Sequence, residues 1–128
     1  MKIGIANDHH GIELKKRIIN YLNDKGIEYI NYGCDEKNNV DYVDYAFMLC
    51  DDINAKKVDL GILICGTGIG MSIAANKVKG ILAAKVNTPK EAGLCRELNM
   101  ANVMTLAEYT ENLEEILNRQ DKIELNEL

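Results

Sequence analysis

The chain has 128 residues, 15 basic against 20 acidic side chains, and a formal net charge of −5. No cluster of Lys or Arg dominates it, so nucleic-acid binding has no electrostatic footing, and no apolar run reaches the roughly 18 residues a membrane-spanning helix needs. One domain spanning residues 1–128 is expected, long enough to bury roughly two-thirds of the surface of its unfolded chain in a single core.

The N-terminus carries no charged, apolar leader, and Cys34, Cys50, Cys65 and Cys95 lie far apart without a CxxC pair. That pattern predicts a soluble, cytoplasmic protein with reduced thiols rather than a disulfide framework or a zinc site.

Taken in chain order, Lys2–Ala6 is a short apolar run that ends in the polar stretch Asn7-Asp8-His9-His10-Gly11. Leu14, Ile18, Ile19 and Leu22 then recur at helical spacing, and Lys25-Gly26 closes that helix. Asp8 and His9 therefore stand at the carboxyl end of a first strand, where open α/β sheets bind ligands, although local capping would use the same residues. Glu28–Tyr32 reads as a second strand, Gly33 to Asn39 as a polar loop, and Asp41 to Lys56 as a helix with an inward apolar stripe.

The third strand, Leu60–Cys65, runs into a loop bearing Gly66, Gly68 and Gly70 and then a helix over Met71–Val78. Gly80–Val86 is a fourth strand, and Pro89, the only proline, suits the first turn of a helix reaching Leu98. Asn102–Leu106 is a fifth strand, Glu108–Ile116 the last long helix, and Lys122–Leu128 a charged tail. Strands alternating with helices at this pace predict a doubly wound, five-stranded parallel sheet in a three-layer αβα arrangement, Rossmann-like or flavodoxin-like.

The glycine-rich loop carries the chemistry. Glycines at alternate positions allow positive φ and close approach of a ligand to the backbone, and a helix N-terminus beyond them adds partial positive charge. The result is an anion cradle with a thiol, Cys65, at its lip. Met71 and Ser72 stand where a phosphate loop needs its lysine, and Ser72 and Ile73 follow where a dinucleotide fingerprint needs its last glycine. A tight strand-to-helix turn over a buried cysteine is the bland alternative. Thr67 and Cys65 inside the loop weigh against it.

Asp8-His9 after the first strand, Asp41-Tyr42 with Tyr45, the stretch from Gly61 through Cys65-Gly-Thr-Gly-Ile-Gly70 to Lys77, and Arg96 with Asn99 and Asn102-Val103 together resemble one family. It is that of the type B ribose-5-phosphate isomerases and galactose-6-phosphate isomerases (RpiB/LacA/LacB). The resemblance implies aldose–ketose isomerisation of a small sugar phosphate, without cofactor or metal, in a homodimer that can pair into a tetramer. It implies Cys65 as the proton-transfer base, with a thiol's ordinary pKa of roughly 8.5 brought into range by the helix N-terminus, and Thr67 as its helper. The anion hole would comprise the N–H groups of Gly66, Gly68, Ile69 and Gly70. Asp8, His9 and Tyr42 would line the substrate pocket, with Asn99 entering from the neighbouring subunit.

The chain also departs from that pattern. Leu98 replaces the histidine to which the family assigns ring opening, Tyr109 replaces an arginine, and the Gly-Gly-Arg-His-rich C-terminal segment is cut short, leaving Arg119. His10 is a candidate substitute at the first of these. Phosphate would otherwise lean on His9, backbone amides and Lys15 or Arg119. Three readings follow: an isomerase of ribose 5-phosphate or another small sugar phosphate; an isomerase whose substrate is open-chain, four-carbon sugar phosphates fitting best, or lacks the phosphate; and a non-catalytic partner subunit or sugar-phosphate sensor.

Overall fold

The computed structural model describes residues 1–36 and 41–121; the last part of the loop ending at Asn39, the tail Lys122–Leu128 and the side chains of Tyr42 and Asp121 lie outside the described residues. Strands β1 Lys2–Asn7, β2 Glu28–Gly33, β3 Leu60–Cys65, β4 Ala83–Lys85 and β5 Val103–Ala107 alternate with helices α1 Ile12–Asp24, α2 Tyr42–Asn54, α3 Ile69–Asn76, α4 Pro89–Glu97 and α5 Leu113–Asp121. The sheet runs in the order β2-β1-β3-β5-β4 with every pairing parallel. This is the doubly wound, three-layer arrangement expected.

Strand β3 sits at the centre because all six of its residues are buried, which a parallel strand covered on both faces requires. Its alternation divides the core. Ile62 and Ile64 face a layer built from Leu14, Ile18 and Leu22 of α1 with Ala92, Cys95, Leu113 and Ile116 of α4 and α5. Leu63 and Cys65 face the other layer, formed by Ala46, Leu49 and Cys50 of α2 with Met71, Ala74 and Ala75 of α3. The thiol thus belongs to the α2–α3 side.

Local signals set most boundaries. Asp41 caps α2 by accepting from Val43 N, and Thr88 caps α4 by accepting from Glu91 N with Pro89 at the first position. Three elements differ from the expected ones. The strand expected over Gly80–Val86 narrows to Ala83–Lys85, because Gly80 turns at φ +89 and the Asn102 side chain holds Gly80 O and Leu82 N instead of a neighbouring strand. The helix expected from Glu108 begins at Leu113, because Thr110 closes a turn back onto Ala107 and Asn112 adopts φ +56. At the first loop, His9–Gly11 forms a 3-10 turn capped by Asp8, and Gly11 lies so close to β3 that a Cβ would come within 2.6 Å of Ile64 Cγ2.

Lys15, a residue expected to be available to phosphate, is only 2% exposed; its ammonium is bound by Cys34 O at 2.8 Å, Asn31 Oδ1 at 3.0 Å and the Asp35 carboxylate. It is a structural cation that ties α1 to the end of β2. Lys15 in turn holds the Asp35 carboxyl below its usual range, with help from Asn31. No helix among the described residues is long and apolar enough to cross a membrane.

Candidate active site

Parallel strands bring their carboxyl ends to one edge, and the order reverses direction between β1 and β3, which opens a crevice there. Asp8 and the 3-10 turn leave β1, the glycine loop leaves β3, and Glu108 and Tyr109 leave β5, all at this edge. Tyr42 starts α2 on the same side.

The loop after β3 is held from three directions. Cys65 Sγ accepts the Gly68 N–H at 3.2 Å, Thr67 Oγ1 accepts the Ile69 N–H at 3.1 Å, and Gly68 O accepts the hydroxyl of Thr105 at 2.9 Å. Gly68 has φ +79, and a Cβ there would lie 3.1 Å from the Leu106 carbonyl carbon. Glycine is required on both counts. Helix α3 starts directly behind at Ile69, and the first N–H groups of a helix have no intrahelical acceptor. Of the four amides expected in an anion hole, Gly68 and Ile69 are engaged inside the loop in this conformation.

Cys65 is 5% exposed, so access does not separate it from Cys34 and Cys95, each 7% exposed. What differs is the company. Burial pushes the Cys50 thiol up to about 11 and raises Cys34 and Cys95 as well. Cys65 has the Gly68 amide aimed at its sulfur and the N-terminus of α3 beyond, donors that meet charge developing there.

Asp8 is buried and accepts twice from His10: from its backbone N–H at Oδ1, 2.9 Å, and from ring Nδ1 at Oδ2, 3.3 Å. The His9 and His10 rings lie 3.9 Å apart between centroids, tilted by 38°. His9 Nδ1 is buried without a partner. Asp8, His9 and His10 each offer a donor atom within 4.8 Å of the others, and each Asp8 oxygen already accepts one bond from His10. A cavity of about 490 Å³ adjoins it, lined by His9, His10, Ile12, Glu13, Leu14, Glu108 and Tyr109. Neither Cys65 nor Thr67 lines that cavity, so His10 stands between it and the glycine loop.

Asn99 is elsewhere. It follows α4 and precedes β5, whose Val103 pairs with Gly61 at the start of β3, so it lies at the amino edge, at least about 13 Å of strand away from Cys65. Within one chain it cannot meet the thiol. Thr105 was not singled out from sequence; the signal was a hydroxyl within an otherwise apolar buried strand.

Fold and edge together define a doubly wound α/β protein with a thiol beside a glycine-rich loop at the carboxyl edge of its sheet. A family model described as Ribose/Galactose Isomerase matches residues 3–122, and the chain belongs to the ribose/galactose isomerase family. The RpiB ribose 5-phosphate isomerase of Thermotoga maritima superposes with a TM-score of 0.90 at 43% identity, covering 94% of this chain and 86% of that one. Ribose-5-phosphate isomerase B of Mycoplasma genitalium, solved with bound ribulose-5-phosphate, gives 0.87 at 41% identity over 94% of this chain and 83% of that one. Ribose-5-phosphate isomerase B of Escherichia coli (strain K12) is 41% identical over 113 residues, 88% of this chain and 76% of its own length.

Proposed function

We propose that this protein interconverts an aldose phosphate and its ketose, ribose 5-phosphate and ribulose 5-phosphate or a four- to six-carbon analogue, with Cys65 as the base. The observation that carries it is the Cys65 sulfur held under the Gly68 N–H at the mouth of α3. The thiolate removes the C2 proton of the aldose, the C2–H electron pair becomes the C1=C2 bond of an enediolate, and the charge collects on O1. Return of the proton to C1, with the O2 proton passing to O1, leaves the ketose. Thr67 assists that transfer, and the amides of Gly66, Gly68, Ile69 and Gly70 stabilise the oxyanion, the first donors being released when a substrate oxygen replaces the internal acceptors. Asp8, His9 and Tyr42 hold the sugar. Four unpaired thiols suit a cytoplasmic location.

The working unit is a homodimer, open to pairing into a tetramer. Phe47 and Met48 of α2 and Ile69 and Ile73 of α3 are exposed apolar side chains on one layer, and a twofold that packs this layer on its copy sets the amino edge of one subunit beside the carboxyl edge of the other. Asn99 then serves the partner's thiol. Static light scattering at micromolar concentration is expected to show a dimer or tetramer; a monomer removes the shared site.

The activity is tested by following interconversion of ribose 5-phosphate and ribulose 5-phosphate alongside thermal shifts with those two, four-carbon sugar phosphates and free pentoses. A ligand at 100 times its dissociation constant adds about 2.7 kcal/mol. Turnover of a sugar phosphate supports the proposal. Stabilisation without turnover marks a sensor or partner subunit, and neither response refutes both.

A further inference from the structure

We propose that His10, held by Asp8, is the acid/base that opens the sugar ring before Cys65 acts at carbon; the inference rests on the isomerase reading above. Ribose 5-phosphate in water is mostly a furanose, whose C1 is a hemiacetal and not a carbonyl, so a proton must leave O1 and another reach O4 before C2 becomes acidic. Histidine is the side chain suited to accept and release a proton near neutral pH. The chain has two. His9 has its Nδ1 buried, whereas the His10 side chain is 47% exposed beside the cavity and its Nδ1 sits 3.3 Å from Asp8 Oδ2.

That bond has a direction. With Nδ1–H donating to the carboxylate, Nε2 is left bare as a base, and Asp8 stabilises the imidazolium once it forms, as the carboxylate of a catalytic triad does. The ring is also in the right place: a Cβ on Gly66, the residue after Cys65, would lie 3.8 Å from His10 Cγ and Nδ1. A sugar seated on the glycine loop therefore lies against His10. Nε2 takes the O1 proton as the C1–O4 bond breaks and the O1 electron pair forms the C1=O1 carbonyl; the same proton is then handed to O4. The hemiacetal becomes aldehyde and alcohol with no net proton change. Leu98, 72% exposed at the amino edge, has no part in this step.

The groups facing His10 are Asp8 and His9 on its own turn, Glu13 at the start of α1, and Glu108 and Tyr109 after β5.

The test compares ribose 5-phosphate with D-erythrose 4-phosphate, whose terminal oxygen is phosphorylated and cannot close a five-membered ring. In His10→Ala the ratio of kcat/KM for the two is expected to fall about 10²-fold, and added imidazole to restore it in part. An unchanged ratio overturns the proposal. If the variant fails to fold, His10→Gln decides, since glutamine keeps a donor for Asp8 but cannot shuttle a proton: a selective fall for ribose 5-phosphate supports the dyad, and an unchanged ratio overturns it. Failure of wild type on both substrates instead refutes the isomerase reading.

Discussion

Replacing Cys65 with alanine is expected to lower kcat/KM for the accepted aldose or ketose by about 10²- to 10⁴-fold, the range for loss of a general base. On the proposed reading the thiol under the Gly68 N–H is the proton-transfer group, and alanine cannot take that role. Binding should change little, because the amides at the start of α3 and the Asp8–His10 turn are untouched. Thermal shifts by ribulose 5-phosphate in wild type and Cys65→Ala check this part. Full turnover in the variant would move the chemistry to another group, and a lost thermal shift would mean that the sulfur holds the loop open for the ligand rather than acting at carbon.

Gly68→Ala is expected to cost about 1–3 kcal/mol in urea unfolding and about 10²-fold in kcat/KM, the penalty for misplacing reacting groups by an ångström. Two independent obstacles produce the effect. The backbone has φ +79, and the new Cβ would press at 3.1 Å on the Leu106 carbonyl carbon, main chain that cannot rotate away. Relief requires the loop to lift off β5, which strains the Thr105 hydroxyl bond to Gly68 O and the amide bond to Cys65 Sγ together. Gly26→Ala is the matched control: φ is +67 but nothing lies within 4 Å of its Cβ, so it should lose stability without losing rate. Equal rate losses at both positions would show that the loop's geometry is not the source.

The strands and most helices were legible because their signals are local. Leu60–Cys65 reads as a buried strand from its unbroken apolar run, and Thr88-Pro89 announces α4 by a cap and a preset φ. The elements misplaced from sequence were those closed by side chains from elsewhere. Residues 80–82 look like strand but are bound by Asn102, and the last helix waits for the Ala107–Thr110 turn to finish. His10 was visible as a residue, but its pairing with Asp8 depends on the 3-10 turn that Gly11 allows against Ile64.

The sequence by itself determined the parallel α/β class and the glycine loop with its thiol, since periodicity, glycine spacing and a strand running into a helix are properties of neighbouring residues. The family likeness was legible for the same reason, carried chiefly by the long motif from Gly61 to Lys77 and by short stretches around it. Only the tertiary structure decided that Lys15 is buried and bound, that His10 leans on Gly66, and that Asn99 lies at the far edge from Cys65. Each depends on which strands are neighbours and which way they run. Parallel pairing sends every βα connection to one edge and every αβ connection to the other, and no local pattern states which residues will share an edge.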